Sequence, residues 1–298
     1  MSDSLLHLRR QLDTIGTLGG VVRTMKALAA SNIGQYEDAV QSLKHYTSSV
    51  ELGLAACLRR GNISPDLIER GDGMKPRQIL VIAIGSDQGM VGAFNQKLGS
   101  RVEEYLQHQQ LTIHLVSIGE RMRDELRAKG FEIARHLSTP TTVEAITSAC
   151  NDILLDYATL STSPAGMSTA MAGMVAGYNQ LEDGARYTSI TEQILPLEQA
   201  WHQRLRERTW PTSALPEIWG PQEECLQALV REYLFISLFR ACAESLASEN
   251  SARLAAMQRA EKNIDEQREE LQGIYHRKRQ DNIDAELFDV TYSLSGDN

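Results

Sequence analysis

The chain has 298 residues, 42% of them hydrophobic and 23% charged, which is typical of a globular protein with one large domain or two ordinary ones. Its 39 acidic residues outnumber its 30 lysines and arginines, so the net charge of -9 argues against a nucleic-acid-binding protein. The longest apolar run, Ile79–Ile84, is far shorter than the roughly 20 residues that cross a bilayer.

The cysteines and histidines do not form a metal-binding pattern. They are scattered, without CxxC or HExxH spacing, so neither a metal nor another cofactor is expected. The cysteines are interpreted as reduced thiols of a cytosol-facing protein. The N-terminal stretch MSDSLLHLRRQLD carries charges where a signal peptide has an apolar core, so no export is predicted.

The N-terminal segment 1–62 is predicted to be one long helix with a coiled-coil seam. Apolar side chains recur at alternating spacings of three and four residues from Leu5 to Leu54, and only Gly19, Lys26 and Thr47 interrupt the series. Gly61 and Pro65 follow as helix-ending residues. The stretch TIGTLGG, residues 14–20, has two interpretations: a bend or break in the helix, or a place where a partner packs too closely for a Cβ atom.

The middle segment 75–208 is predicted to be an α/β domain. Strands are expected over QILVIAIG, LTIHLVSIG and FEIARHL, with further strands in MSTAMAGMVAGYNQ and YTSITEQILPL. Helices are expected over NQKLGSRVEEYLQHQ, ERMRDELRAKG and TVEAITSACNDILLDYATL. Alternation of strand and helix predicts a Rossmann-like domain with a mostly parallel sheet.

The C-terminal segment 222–298 is predicted to be a second long helix that pairs antiparallel with the first as a coiled coil. Its central stretch SLFRACAESLASENSARLAAM, residues 237–257, has Leu246 as the only large apolar side chain between Phe239 and Leu254. We interpret the small residues as allowing close approach of a partner helix, and we expect the carboxylates of Glu244 and Glu249 to be solvated.

The loop IGSDQGMVGAFN, residues 84–95, follows a strand and precedes a helix, where α/β folds hold phosphates. It matches neither GxGxxG nor GxxxxGK[ST], and no histidine lies near Ser86 and Asp87 in sequence, so neither nucleotide binding nor catalysis is favoured. The preferred interpretation is a tight turn in which Gly89 and Gly92 allow close packing. The residues of this structural loop are Ser86, Asp87, Gly89, Gly92 and Asn95.

Three segments resemble the gamma subunit of F-type ATP synthases. SLFRACAESLASENSARLAAMQRAEKNIDE, followed by YHRKRQDNIDAEL, is similar to that family's C-terminal helix. GSDQGMVGAFN resembles its SDRGLCGGxN loop, and TLGGVVRTMKALAASNI resembles its NTxKITKAMxMVAxxK segment. The segments occur in the family's order, so the resemblance spans essentially the full length. It implies a central-stalk rotor that couples ion flow through a membrane c-ring to ATP synthesis or hydrolysis in an alpha/beta hexamer.

The resemblance also implies partners and contact residues. The expected partners are the alpha and beta subunits, the epsilon subunit and the c-ring, with no nucleic acid. Membrane association is expected only through the complex, as a peripheral protein on the cytoplasmic face of a bacterial inner membrane. The chain itself is expected to be non-catalytic. The small-residue stretch is expected to turn within the hexamer. Five residues match, position by position, the family residues that are expected to contact the hexamer: Met25, Arg253, Arg279, Gln280 and Glu286.

Some residues depart from the family's pattern. Gly20 and Asn32 stand where the family usually has lysine, Gln88 replaces arginine, Val91 replaces cysteine and Asp284 replaces threonine. These departures indicate a divergent member, and membership of an atypical second bacterial type is a hypothesis. Two alternatives remain: an α/β nucleotide-binding protein that uses the 86–95 loop, and a generic coiled-coil adaptor.

Overall fold

Long helices stand at both ends of the chain, and the described residues between them form five strands and four shorter helices. The computed structural model describes residues 3–60, 78–161, 173–182, 186–197, 199–208, 210, 212, 217 and 220–295. The helices are α1 (Asp3–Arg60), α2 (Phe94–Gln107), α3 (Glu120–Ala128), α4 (Val143–Ser161), α5 (Gln199–Glu207) and α6 (Gln222–Ser295). The strands are β1 (Gln78–Ile84), β2 (Thr112–Ile118), β3 (Arg135–Leu137), β4 (Gly173–Leu181) and β5 (Tyr187–Leu195).

The five strands form one sheet in the order β3-β2-β1-β4-β5. The first four are parallel, and β5 pairs antiparallel with β4. Parallel neighbours need crossover connections, and α2, α3 and α4 lie in those connections along the chain. The predicted Rossmann-like α/β domain with a mostly parallel sheet is therefore confirmed.

The sheet is covered on both faces, because side chains of a strand point alternately to its two sides. Ile79, Val81 and Ala83 of β1 pack with apolar residues of α2 and α3. The alternate residues Leu80, Ile82 and Ile84 belong to a larger core with residues of α1, α4 and α6. The α/β core thus includes parts of both long helices.

The chain divides into two compact units, Met1–Ala30 with Arg253–Asn298, and Ser31–Ala252. The first unit contains parts of α1 and α6, and the second contains the sheet with the remaining parts of both helices. The division of the sequence into segments 1–62, 75–208 and 222–298 stays a prediction.

The two long helices pair antiparallel within each unit, as predicted. In the first unit, Lys26 Nζ of α1 lies 2.5 Å from Glu261 Oε2 of α6. In the second unit, the Tyr46 hydroxyl donates to Glu232 Oε2 at 2.7 Å. Every residue of the predicted α1 seam from Leu5 to Leu54 is buried or half-buried. Lys26 interrupts the apolar seam without loss of pairing because its ammonium meets a carboxylate of the facing helix.

The glycine-rich stretch of α1 is continuous helix, so the interpretation as a break is wrong. Gly19 is buried, and a Cβ atom there would lie 3.4 Å from Ile264 Cγ2. Added Cβ atoms at Gly16 and Gly20 would meet nothing within 4 Å. The interpretation as a close-packing site therefore applies to Gly19 alone, at ordinary van der Waals distance.

Two elements differ from the prediction, and the predicted end of the N-terminal helix lies outside the described residues. The strand expected over residues 131–137 is only three residues long, because only Arg135–Leu137 pair with β2, at its last three residues. Helix α5 was not predicted. The expected helix-ending residues Gly61 and Pro65 lie outside the described residues.

Candidate functional site

The loop after β1 is built around a buried pair, Ser86 and Asn95. The Ser86 backbone N–H donates to Asn95 Oδ1 at 3.0 Å, and Asn95 Nδ2 donates back to Ser86 Oγ at 2.9 Å. The Ser86 hydroxyl donates in turn to the Gln88 carbonyl at 2.9 Å. Asn95 is in the first turn of α2. These bonds close the loop onto the helix that follows and occupy the hydroxyl that could have acted as a nucleophile.

Asp87 ties together the elements next to this loop. One carboxylate oxygen accepts the Glu120 backbone N–H at 2.9 Å, and the other accepts the Thr139 backbone N–H at 3.0 Å. Glu120 is the first residue of α3, where a negative charge is stabilised by the helix dipole. Asp87 therefore joins the end of β1 to the start of α3 and to the loop after β3, and both of its oxygens are used within the chain.

Gly85 and Gly119 allow neighbouring atoms to pack closely at the strand ends, whereas the expected positions, Gly89 and Gly92, do not. A Cβ atom at Gly119, whose φ is +98°, would lie 2.7 Å from the backbone of Ser86. One at Gly85 would clash with Asn95 Oδ1. At Gly89 and Gly92 an added Cβ would meet nothing within 4 Å, so the predicted close packing there is wrong. Gly92 instead provides a φ of +62°.

Helix α6 fills the crevice at the carboxyl ends of β1 and β4. In open α/β sheets this is the topological switch point, at which ligands bind. Here the Ser245 hydroxyl donates to the Ile84 carbonyl at 2.9 Å, and the Ser248 hydroxyl donates to the Asn179 carbonyl at 2.9 Å. Ala252 packs with Val91 and Phe94 of the loop after β1. The position that a nucleotide would take in a Rossmann fold is occupied by the chain's own helix.

The small-residue stretch of α6 is thereby explained differently from our expectation. Every residue from Ala241 to Ala252 except Glu244 is buried. Serine and alanine fit this helix against the edge of the sheet, and the serine hydroxyls bond to carbonyls there. The expectation that the surface of this stretch turns within a partner is wrong for Ala241–Ala252, because residues of the same chain cover it.

Glu249 and Glu244 are also less solvated than expected. Glu249 is only 5% exposed. Burial, followed by the negative charge of Glu249, raises the pKa of Tyr36. Glu244 is half-buried, and this burial raises the pKa of its carboxyl. Gln180 Nε2 donates to Glu244 Oε2 at 3.1 Å. The sequence pattern missed this burial because the facing sheet is distant in sequence.

Glu244 belongs to a polar network between β4, β5 and α6. The Tyr178 hydroxyl donates to Glu192 Oε2 at 2.7 Å, and burial, together with the charge of Glu192, raises the pKa of that hydroxyl. Arg240 pairs with the other oxygen of Glu192. One guanidinium thus lies among two carboxylates and a phenol, and the network links the antiparallel hairpin to α6.

A cavity of about 420 Å³ lies beside the loop, between α2 and α3. Its lining includes the guanidinium-bearing Arg121 and the acidic Asp124 and Glu125. Phosphate sites need a uniformly positive field or a helix N-terminus with unused N–H groups. The N-terminus of α3 is capped by Asp87, and the cavity mixes both charges, so the arrangement is poorly suited to nucleotide binding.

The residues carried over from the resemblance all lie in the first unit. Met25 is half-buried on α1, and Arg253 is half-buried on α6. Arg279, Gln280 and Glu286 are exposed on α6. The structure therefore leaves the last three available to a partner.

Large apolar side chains are also exposed in the first unit, and they were not predicted from the sequence. In the first unit they are Leu6, Leu18, Val21, Leu28, Ile283, Leu287 and Phe288. Ile283 and Leu287 are four residues apart and therefore share a helix face, which was the signal available in the sequence. Exposed apolar residues that form a contiguous patch mark surfaces that contact other proteins.

Within the described part of the chain, no helix is long and apolar enough to span a membrane. The same residues contain no group of three or more histidine, cysteine, aspartate or glutamate side chains that could hold a metal ion.

Comparisons with known proteins cover nearly the whole chain. The model of a family described as ATP synthase matches residues 4–295. The ATP synthase gamma chain of Bdellovibrio bacteriovorus is 22% identical, with 96% of both chains covered. That of Granulibacter bethesdensis is 28% identical, with 96% of this chain and 97% of the relative covered.

Two solved structures share the fold. One is the rotor of the Euglena gracilis mitochondrial ATP synthase in rotational state 1, with 17% identity and a TM-score of 0.61, covering 94% of this chain and 99% of that one. The other is the OSCP/F1/c-ring structure of the same enzyme in rotational state 3, with 16% identity and a TM-score of 0.64, covering 98% of this chain and 94% of that one.

Proposed function

Because the chain belongs to the ATP synthase family, as its three family-like segments predicted, we propose that it is the gamma subunit, the central-stalk rotor of an F-type ATP synthase. In this role it rotates within an alpha/beta hexamer and couples ion flow through a membrane c-ring to ATP synthesis or hydrolysis. The chain transmits motion, and the chemistry of ATP takes place in other subunits.

The observation that carries this proposal is the exposure of large apolar side chains in the first unit. Leu28 is 59% exposed on α1, and Leu287 and Phe288 are 59% and 73% exposed on α6. Leaving such groups in water is unfavourable, and a surrounding protein would remove the cost. A hexamer that encloses the first unit would cover these residues while allowing the rotor to turn.

The second unit supports a mechanical role for the α/β domain. Ser245 and Ser248 of α6 occupy the switch-point crevice, and Asp87 and Asn95 are engaged in bonds within the chain. A domain with its ligand crevice filled by its own helix is suited to holding that helix. These contacts support a non-catalytic subunit over the alternative of an α/β nucleotide-binding protein.

The partners follow from the same proposal. Alpha and beta subunits would surround the first unit, and the epsilon subunit and the c-ring would bind the α/β domain. The membrane would be reached only through the complex, on its cytoplasmic face. The proposed contact residues for the hexamer are Met25, Arg253, Arg279, Gln280 and Glu286. The proposed structural residues of the loop after β1 are Ser86, Asp87, Gly92 and Asn95.

The domain organisation proposed with this function has three parts. Segment 1–62 supplies the N-terminal helix, 75–208 supplies the α/β domain that forms the foot, and 222–298 supplies the C-terminal helix and tail.

Co-expression with the alpha and beta subunits of the same organism tests the proposal. The chain is expected to co-purify with them in a complex that hydrolyses ATP, and the isolated chain is expected to show no hydrolysis. Calorimetric titration of the isolated chain with ATP serves as the control for the nucleotide-binding alternative. A chain that stays monomeric beside alpha and beta, or that binds ATP tightly with one-to-one stoichiometry, would contradict the rotor assignment.

A further inference from the structure

The four cysteines of the chain lie in the second unit as two neighbouring pairs. Cys57 is near the end of α1, Cys225 is the fourth residue of α6, and their Sγ atoms are 3.9 Å apart. Cys150 of α4 and Cys242 of α6 form the other pair, and both are fully buried. Because neither sulfur of this second pair is exposed, a dissolved oxidant reaches the first pair more readily.

The geometry around Cys57 and Cys225 favours a covalent bond between them. A disulfide has an S–S distance of about 2.05 Å, so the two sulfurs must approach by about 1.9 Å. Both residues lie within one turn of a helix end, and helix ends yield more readily than helix centres. Cys225 is partly exposed and can meet a small oxidant.

Neighbouring contacts hold the two helices close together and in register. A Cβ atom at Gly53, one turn before Cys57, would lie 3.0 Å from Leu229 Cδ2, one turn after Cys225. Gln222 Nε2 at the start of α6 donates to the Cys57 carbonyl at 3.0 Å. The absence of a side chain at Gly53 thus allows the close helix approach that brings the sulfurs together.

We propose that Cys57 and Cys225 are an oxidisable dithiol that closes to a reversible intrachain disulfide between α1 and α6. The Cys225 thiolate attacks one oxygen of hydrogen peroxide, giving a sulfenic acid and hydroxide. The Cys57 thiol then attacks that sulfur, the S–S bond forms, and water leaves. Overall the two thiols lose two electrons and two protons, and peroxide becomes two waters. An external dithiol reverses the reaction by thiol–disulfide exchange.

This modification is independent of the rotor assignment. The bond would join positions 168 residues apart in sequence and would restrict the unfolded chain of the second unit. We therefore expect oxidation to raise the thermal midpoint of the second unit by about 5 °C. In the reduced state the same helix ends would remain joined by side-chain contacts alone.

To test this proposal, the purified full-length chain is treated with hydrogen peroxide and the excess oxidant is removed. Cross-linked peptides are then identified by mass spectrometry. The expected product is a peptide pair joined through Cys57 and Cys225, reversed by dithiothreitol and absent from Cys225→Ser. Cys150→Ser is the matched control and should still form the bond. The thermal midpoint, followed by tryptophan fluorescence, should rise only in proteins that carry the disulfide.

Three results would overturn the proposal. The first is oxidation of Cys225 to a sulfinic acid without any Cys57–Cys225 peptide. The second is formation of that peptide only after denaturation in urea, which would show that the folded geometry does not support the bond. The third is a disulfide that lowers the thermal midpoint, which would mean that it distorts the two helix ends. Cys225→Ser is expected to fold normally, since its side chain is partly exposed, and its unoxidised thermal midpoint checks this.

Discussion

Two serine hydroxyls fix α6 against the carboxyl edge of the sheet. Ser245 and Ser248 are buried, and each donates to a carbonyl at the end of a strand. A buried carbonyl that loses its donor costs about 1–3 kcal/mol, which is more than an average hydrogen bond contributes. Small size matters as much as polarity here, because a larger side chain would separate the helix from the strand ends.

Ser245→Ala is expected to lower the free energy of unfolding of the second unit by about 1 kcal/mol, and Ser245→Leu by about 1–3 kcal/mol more through overpacking. Urea denaturation followed by tryptophan fluorescence measures this, since Trp201 and Trp210 lie in that unit. Ser42→Ala, at an exposed helical serine that bonds to its own helix, is the control and should be near neutral. Equal effects at Ser42 and Ser245 would contradict the assigned contact.

The carboxyl of Glu244 makes stability depend on pH. Burial raises its pKa above the ordinary value of 4.5. Between 4.5 and the raised pKa, the folded chain binds more protons than the unfolded chain, so stability contributed by this group falls as pH rises through that window. Above the window the folded state carries the full cost of a partly buried carboxylate.

Glu244→Gln should therefore be more stable than the parent chain at pH 7, and the difference should disappear below pH 4.5. The glutamine keeps an oxygen that can accept from Gln180. Midpoints of urea denaturation at about pH 4 and pH 7 provide the measurement. Glu207→Gln, at an exposed position, controls for the loss of one negative charge. A gain of equal size at both pH values would rule out ionisation of Glu244 as the cause.

At the scale of single elements, the loop between β2 and α3 depends on close contact between the backbone at Gly119 and the backbone at Ser86. Gly119 connects β2 to α3 with a φ of +98°, and its Cα faces the backbone of Ser86 at a distance that excludes a Cβ. Asp87 accepts an N–H from the first residue of α3 across the same junction. The turn is therefore specified by one glycine and one carboxylate.

Gly119→Ala is expected to destabilise the second unit by about 3 kcal/mol, because the positive φ and the clash with Ser86 act together. Gly89→Ala, where an added Cβ meets nothing within 4 Å, is the matched control and should stay within about 0.5 kcal/mol of the parent. Tryptophan fluorescence in urea reports both variants. A neutral Gly119→Ala would show that the turn adjusts without strain.

The helices and strands of the core were predictable because each carries its own periodic pattern of apolar residues. Helix α5 was not predicted, although α3, which is equally long, was. The antiparallel direction of β5 was not predicted, since strand direction depends on a pairing partner. Glu249 was expected in solvent because the pattern of one helix does not show which other elements pack against it. In the structure it is only 5% exposed.

The candidate site was only partly predictable for the same reason. The loop 84–95 was recognised from local sequence, and its role as a turn was expected. The groups that engage Asp87 lie 33 and 52 residues away in sequence, and the serines that fill the crevice lie 161 and 69 residues from the carbonyls they contact. No local pattern specifies such pairings.

At the scale of the whole molecule, the described residues of the first unit include more exposed large apolar side chains than those of the second, where Tyr46, Met90 and Leu155 are exposed. The first exposes large apolar residues together with Arg279, Gln280 and Glu286. The second encloses its polar residues around α6 and the sheet. Changes at exposed residues of the first unit should therefore affect partner binding while leaving the fold intact.

The double substitution Arg279→Ala with Gln280→Ala is expected to weaken assembly or coupling in the complex by roughly fivefold, equivalent to about 1 kcal/mol at an interface. Circular dichroism of the isolated chain should be unchanged, because both side chains are exposed. The readouts are recovery of the complex on co-purification and ATP-driven ion pumping per ATP hydrolysed. Arg268→Ala with Gln272→Ala, also exposed on α6, is the control. Unchanged recovery of the complex and unchanged pumping per ATP hydrolysed would show that Arg279 and Gln280 do not contribute to the proposed contact.

The occupied crevice at β1 and β4 has a consequence for synthesis. A ribosome produces α1 first and α6 last. Tyr46 of α1 can therefore bond to Glu232 only after another 186 residues have been synthesised. The carbonyl of Ile84 likewise lacks its donor until Ser245, 161 residues later, has been synthesised. Long-range closure of this kind is slow, and it leaves apolar surface uncovered on the growing chain. The nascent protein therefore passes through a long interval in which its sheet edge is open, and chaperone binding during that interval should matter more here than for a fold closed by neighbouring elements.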